Sequence, residues 1–134
     1  MEPKLNFIHV CDYASMSEGG KVNILGIFKN INIFGQNFPV THPQLYVVSN
    51  VSVTNSGIYK QKLKLIDENN EEIIPPLPFS SNVVLGQDGT AEIGLIANLV
   101  ALEFPKLGVY KFVLDINDVK IAEIPITLTL KART

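Results

Sequence analysis

The chain has 134 residues, a formal net charge of −2, 18% charged residues and one cysteine. This length is that of one domain, so we treat residues 1–134 as a single unit. The near balance of charge provides no field to attract nucleic acid or an anionic membrane, and one cysteine excludes a disulfide-stapled secreted scaffold. Val, Ile and Thr greatly outnumber Ala, which favours pleated strands over helices.

The compartment and the surface can also be predicted from composition. The first residues lack the basic stretch, apolar run and cleavage site of a signal peptide, and no apolar segment of bilayer length follows. We therefore expect a cytoplasmic domain without membrane association. The charged fraction lies below the roughly 25% of typical globular domains, which leaves neutral surface for a partner to cover.

The first half of the chain predicts a hairpin, a loop and one long strand. Leu5–Tyr13 and Lys21–Phe28 are apolar runs of strand length, and paired glycines between them permit a tight reversal. Phe34–Pro39 is a predicted loop. Gln44–Thr54 follows as a long strand with apolar residues at alternate positions, which predicts that one of its faces is buried.

The middle of the chain predicts four further elements. Lysines alternate with apolar residues after Ile58, as in a half-exposed strand. Pro75–Pro78 contains three prolines without amide donors, so it is a linker or an edge strand. Gly86–Gly89 predicts the connection of a hairpin. Ile93–Leu102 is apolar on both alternating faces, which fits a strand buried on both sides or a short helix, and we favour the strand.

The last part of the chain predicts a second hairpin. Its strands are Val109–Ile116 and Val119–Leu130, joined at Asn117-Asp118. Pro125 interrupts the alternation of the second strand, and it fits there only where its nitrogen faces no neighbouring strand. The strands and turns together predict an all-β fold, an antiparallel two-sheet sandwich of the Ig-like type with a single hydrophobic core.

Phe104–Phe112 is typical of a corner in Ig-like sandwiches, where Gly108 lets the chain turn and Tyr110 enters the core. With CDYA at 11–14, EGGK at 18–21, LGIF at 25–28 and HPQL at 42–45, this segment resembles a bacterial family of unknown function. These motifs occur in the family's order and cover most of the chain, whereas Ile73–Ser81 has no counterpart. The resemblance implies a small cytoplasmic β-sandwich with no assigned activity.

Residues for catalysis are few. His9, Cys11 and His42 are the only histidines and the only cysteine. His9 and Cys11 share one face of a strand, so with His42 they could form a zinc site or a Cys–His dyad. Alternatively, Cys11 is a small buried apolar residue and His9 an ordinary strand residue. Because the spacing matches no zinc motif, we favour this alternative and expect no enzyme activity, metal or cofactor.

Two sets of residues are candidates for binding. Phe34 and Phe38 lie in an uncharged loop that ends near His42, and such loops often bind partners. The alternative, slightly favoured, is that these phenylalanines plug one end of the core. Tyr46 and Tyr59, with Asn50 nearby, are candidates for an open aromatic platform for a small ligand or a carbohydrate.

Lys60, Lys62 and Lys64 share one strand face and could follow a line of phosphates. Solvated lysines that discourage strand pairing explain the pattern better, because no arginine or aromatic residue lies between them to stack on bases. We therefore expect no nucleic-acid partner. The sequence favours a non-enzymatic interaction or structural module whose neutral surface or loop 34–43 binds another protein or a second copy. The alternative is a domain that binds a small ligand or a carbohydrate.

Overall fold

The computed structural model describes residues 3–35 and 37–131, and within them the chain forms nine strands and one short 3₁₀ helix at Glu18–Gly20. The strands are β1 (Lys4–Ser17), β2 (Lys21–Ile27), β3 (Asn30–Ile33), β4 (Val40–Val53), β5 (Gly57–Ile66), β6 (Leu77–Val83), β7 (Ala91–Phe104), β8 (Gly108–Ile116) and β9 (Val119–Leu130). The prediction of an all-β fold is confirmed. In these residues, no helix is long and apolar enough to cross a membrane.

The strands form two sheets. The first sheet has the order β2-β1-β4-β7 and the second has the order β3-β9-β8-β5-β6. Neighbouring strands are antiparallel except β3 and β9, which run parallel from Asn30↔Thr127 to Ile33↔Leu130. The expectation of wholly antiparallel sheets is therefore wrong at this pair. No hairpin joins β3 to β9, since they are far apart in the chain, and so no turn imposes opposite directions on them.

The main core lies between the two sheets. Alternate residues of β4 and β7 from the first sheet meet alternate residues of β5, β8 and β9 from the second. Phe104, Tyr110 and Phe112 are the largest fully buried side chains. A single large core of this kind needs no disulfide, and the one cysteine, Cys11, is a free thiol.

The predicted corner at Gly108 and Tyr110 is present. Gly108 has a φ of +134° and begins β8, and Tyr110 follows it into the core. The Tyr110 hydroxyl donates a hydrogen bond to the Lys106 carbonyl oxygen at 2.6 Å and accepts one from the Lys106 amide at 3.2 Å. The Tyr110 ring packs edge-on against Phe104 at 4.9 Å. The hydroxyl thus closes the turn back on itself, as tyrosines at strand corners do.

Several other local predictions are confirmed. Ile93–Leu102 belongs to strand β7, as predicted, although it is buried on one face and not on both. Strands β8 and β9 form a hairpin whose turn residues Asn117 and Asp118 both have positive φ, as a tight two-residue turn requires. Pro78 lies in β6, the edge strand of the second sheet. Pro125 lies on the part of β9 that β3 does not reach, so its missing donor leaves no neighbour unpaired.

Two local predictions are wrong. Gly86–Gly89 does form a turn, closed by the Gly86 amide donating to the Thr90 carbonyl at 2.8 Å, but β6 and β7 belong to different sheets and make no hairpin. The turn residues determine that the chain reverses direction, but they do not determine which sheet the next strand joins. Strand β4 begins at Val40 rather than Gln44. Its pairing with β7 extends to the N-terminal side of Pro43, as far as Val40 opposite Phe104. The predicted loop 34–43 is shorter as a result.

Candidate functional site

A second apolar cluster, separate from the main core, includes side chains on the outward side of the first sheet. Its buried members are Cys11, Ala14 and Val48, and the residues packed against them are Phe7, Val22, Ile24, Tyr46 and Ile96. Val48 and Tyr46 alternate along β4 with core residues, which places them on the side that faces away from the second sheet. A β-sheet that packs on one core needs only one apolar face, so this second cluster is additional.

We call the outward side of β1, β4 and β7 the neutral face, defined by Phe7, Cys11, Gln44, Tyr46, Val48, Asn50, Ile96 and Asn98. Amides cross between its strands: Gln44 Nε2 donates to Asn98 Oδ1 at 2.8 Å, and Asn6 Nδ2 donates to Asn50 Oδ1 at 2.6 Å. The Tyr46 ring meets the Tyr13 ring edge-on at 5.3 Å. Aromatic rings and neutral amides therefore form this surface.

Charged residues are nearly absent from the strands of the first sheet. Strand β4 has none, and those of β1, β2 and β7 lie close to the strand ends, apart from Asp12. The terminal ones are Lys4, Lys21, Glu92 and Glu103. The middle of the neutral face thus has no carboxylate, lysine or arginine that a partner would have to desolvate, and its one titratable ring is the imidazole of His9, which stacks on Phe7 and pairs with Val48.

The second sheet carries the charges instead. All salt bridges found among the described residues belong to it or to its β8–β9 turn: Lys62–Asp118 (3.8 Å), Lys64–Asp115 (2.8 Å), Lys111–Glu123 (3.1 Å) and Lys120–Glu123 (2.8 Å). We call this outward side of the second sheet the charged face. Two lysines of the stripe predicted on β5, Lys62 and Lys64, are paired there with carboxylates.

The charged face also carries a surface groove of about 810 Å³. Its charged lining residues are Lys64, Lys111, Lys120, Glu71, Glu72 and Glu123. Lysines and carboxylates neutralise one another along it, so the groove presents no excess of either sign to a charged ligand. This pairing is what solvent-exposed sheet faces commonly show.

His9, Cys11 and His42 do not come together. Cys11 pairs across the sheet with Tyr46, which lies four residues beyond His42 on β4, a distance of about 13 Å at the usual strand rise. No three His, Cys, Asp or Glu side chains of the described residues could hold a metal ion. Burial raises the pKa of the Cys11 thiol, which keeps it protonated and a poor nucleophile. The zinc site and the Cys–His dyad are therefore not formed.

His42 lies at the edge of the core beside Phe28, with ring centroids 6.0 Å apart. Burial lowers the pKa of its imidazole, while a hydrogen bond to the backbone of Gln44 and the Asp12 carboxylate act in the opposite direction. The ring is thus held mainly neutral and half-buried. Asp12 is therefore a second acid–base group near the ring, and the two residues line one open surface pocket whose described lining includes no serine, threonine or cysteine.

The two phenylalanines of the predicted loop do not plug the core. Phe34 is 43% exposed and Phe38 is 39% exposed, whereas a plugging ring would be buried. Gln36, between them, lies outside the described residues. The favoured alternative is therefore wrong, and both rings stand at the surface, where they can contact a partner.

Tyr46 and Tyr59 belong to different surfaces. Tyr59 lies on β5 in the main core, 9% exposed, and its hydroxyl donates to the Asn55 carbonyl oxygen at 2.7 Å. Tyr46 lies on the neutral face of the other sheet. The platform formed by both tyrosines is therefore not present, because alternation along β5 turns Tyr59 towards the interior.

Sequence reasoning missed most of the neutral face. Phe7, Val48 and Ile96 were not among its candidate residues, although the structure groups them around Cys11 and Tyr46. The available signal was the run Ile93–Leu102, apolar at both alternating positions. In a fold with one core between two sheets, such a strand must place one apolar row on an outer surface.

Residues 6–129 match the model of DUF6941, a family of unknown function. No curated protein sequence matches the chain significantly.

The solved structures that resemble the chain include the following two. One is the alkylpurine DNA glycosylase AlkC of Pseudomonas fluorescens, bound to DNA with an abasic-site analogue: the TM-score is 0.50 at 10% identity, over 95% of this chain and 30% of that one. The other is a glycosyl hydrolase family 2 member from Bacteroides cellulosilyticus, with a TM-score of 0.42 at 19% identity, over 67% of this chain and 14% of that one. The chain thus spans less than a third of either structure, and the first likeness concerns the fold alone.

Proposed function

We propose that this chain, which belongs to the DUF6941 family, is a non-enzymatic interaction module whose neutral face binds another protein or a second copy of itself. In this proposal the two sheets form an Ig-like β-sandwich that acts as a rigid support for that face. We further propose a cytoplasmic location, which the single free thiol of Cys11 supports, because thiols persist in reducing compartments.

The contrast between the two outward sides carries this proposal. The charged face is covered by ion pairs, while the middle of the neutral face has amides and rings, the His9 imidazole among them, and no carboxylate, lysine or arginine. The cores of protein interfaces are depleted in charge and enriched in aromatic side chains. Burying the neutral face against a partner therefore requires little desolvation of charge, whereas burying the charged face would disrupt its ion pairs.

The chemistry of the side chains supports a role without catalysis. The thiol of Cys11 is buried and protonated, and among the described residues the surface pocket that His42 shares with Asp12 is lined by no serine, threonine or cysteine for the imidazole to activate. Covalent catalysis needs such a nucleophile within reach of the base.

A second candidate function is the binding of a small ligand or a carbohydrate. Tyr46 favours it, because its ring lies next to the amides of Gln44 and Asn98, and aromatic rings flanked by amides bind sugars. Protein binding ranks first because the Tyr46 ring packs on Tyr13 and both belong to a broad surface with exposed apolar side chains around it, such as Leu25 and Val100.

Site-specific photo-cross-linking in living cells tests the proposal. A benzophenone side chain replaces Tyr46 on the neutral face in one variant and Lys111 on the charged face in the matched control. We expect discrete covalent adducts with a protein from position 46 and none from position 111, because only the neutral face is covered. Equal labelling from both positions, or adducts from position 111 alone, would show that the neutral face is not the binding surface.

A further inference from the structure

The two sheets end in four edge strands, and three of these edges carry features that discourage pairing with another chain. Strand β3 is only four residues long, and β6 contains Pro78, which lacks an amide donor. Strand β2 begins with Lys21 and contains Gly26 in a left-handed conformation, with a φ of +70°. Natural β-proteins use such devices to keep edges from pairing.

In the fourth edge, β7, such features are confined to the two ends of the strand. It is fourteen residues long, and it contains neither proline nor any charged residue between Glu92 and Glu103. Ala101, with a φ of +55°, interrupts the regular strand near its end, so Ile93–Val100 forms the regular part. Strand β4 occupies one side of β7, and on the other side the described residues provide no neighbouring strand. A long uncharged edge of this kind is a template for a further strand.

We propose that Ile93–Val100 of β7 pairs antiparallel with the same segment of a second copy, about a two-fold axis. The first sheets of two copies then form one continuous sheet, with their neutral faces side by side. This inference goes beyond the proposed function, since the contact is made by the edge of the first sheet and leaves the neutral face open to a partner. A two-fold contact requires a self-complementary surface, and an uncharged strand meets itself without like-charge repulsion.

The size of the contact agrees with a second copy as the occupant. The eight residues of the pairing segment extend about 27 Å along the edge. Two sheets about 10 Å apart, together with their outer side chains, form a sandwich roughly 20 Å thick. The product of this length and this thickness is a contact area of roughly 540 Å² per copy. The second sheet contributes because β6 lies on the same side of the molecule as β7 and is followed by Val84, which is 81% exposed. The total of roughly 1,100 Å² lies near the lower limit for specific interfaces, as in a reversible dimer.

Sedimentation velocity over a concentration series, from about 5 µM to about 1 mM, tests the inference. We expect the wild-type chain to pass from monomer to dimer within this range. Gly94→Lys and Val100→Lys each place a charge on the pairing segment, and we expect each to weaken dimerisation at least ten-fold. Both positions are exposed, and a Cβ at Gly94 meets no atom within 4 Å, so the monomer accommodates the change.

Two matched variants serve as controls. Gly94→Ala alters the same residue without adding charge, and Asn23→Lys adds a lysine to the other edge, β2; we expect both to dimerise like the wild type. Circular dichroism confirms that every variant is folded. A wild type that stays monomeric at every concentration overturns the inference, and so does a dimer that Asn23→Lys abolishes and Gly94→Lys does not. Neither of these sedimentation results changes the expected cross-linking from position 46, so the proposed function is tested independently of the dimer.

Discussion

At the scale of single residues, the burial of His42 makes the stability of the fold depend on pH. Its imidazole lies beside Phe28, half-buried, and burial lowers its pKa below the usual 6.5. In the unfolded chain the ring regains its usual pKa. As the pH falls below 6.5, the unfolded state therefore takes up a proton before the folded state does, and stability decreases.

This predicts a specific difference between the wild type and His42→Gln. Well above pH 6.5 the imidazole is neutral in both the folded and the unfolded state, so the free energies of unfolding of the two proteins differ by a constant. Between pH 6.5 and the lower pKa of the folded state, the free energy of unfolding of the wild type falls more steeply, because only its unfolded state gains the proton. Urea denaturation at a series of pH values measures this, and parallel curves for the two proteins would contradict it.

Residue roles were predictable where the local motif is self-sufficient. Gly108 and Tyr110 occupy the corner that their spacing predicted, since both the turn and the hydroxyl contact to Lys106 are local. The orientation of Tyr46 and Tyr59 was not predictable as a pair. Alternation along one strand groups its residues by face, but only the packing of the two sheets decides which face is interior.

At the scale of elements, the corner before β8 depends on Gly108. Its φ of +134° is rare for residues with a side chain, and an added Cβ would contact the Glu68 carboxylate. That carboxylate accepts a hydrogen bond from the Val109 amide at 3.0 Å, so it cannot move away without losing this contact. Backbone conformation and space therefore both oppose any other residue here.

Gly108→Ala is expected to lower the free energy of unfolding by about 1–3 kcal/mol, the usual cost of a side chain in such a conformation. Gly94→Ala is the matched control, because Gly94 has an ordinary φ and open space around it. In a strand, this second change is expected to raise stability by about 0.5 kcal/mol. Chemical denaturation of both variants measures the difference, and equal effects would be inconsistent with the role given to Gly108.

Elements were predictable to the extent that their signals are local. The β8–β9 hairpin follows from Asn117-Asp118, because a two-residue turn with positive φ forces the strands to pair. The turn at Gly86–Gly89 is equally local, yet the strands that it joins enter different sheets. Which neighbour a strand finds depends on long-range packing, and short sequence patterns do not encode it.

At the scale of the whole molecule, the two outward sides differ in kind. Lysines and carboxylates pair along the second sheet, while rings and amides cover the first. The low charged content in the sequence predicted neutral surface but not its location. Its position follows from the strand order, because β4, which has no charged residue, is a central strand of the first sheet and β7 forms its edge.

The central claim is that binding occurs on the first sheet and not on the second. Amide chemical-shift mapping of the isotope-labelled chain over a dilution series tests it most directly. Resonances of Gly94, Ile96 and Asn98 on β7, and of Tyr46 beside them, are expected to move with concentration, while those of Lys62, Lys64 and Lys111 stay fixed. Movement at the three lysines with no change on β4 and β7 would contradict the claim.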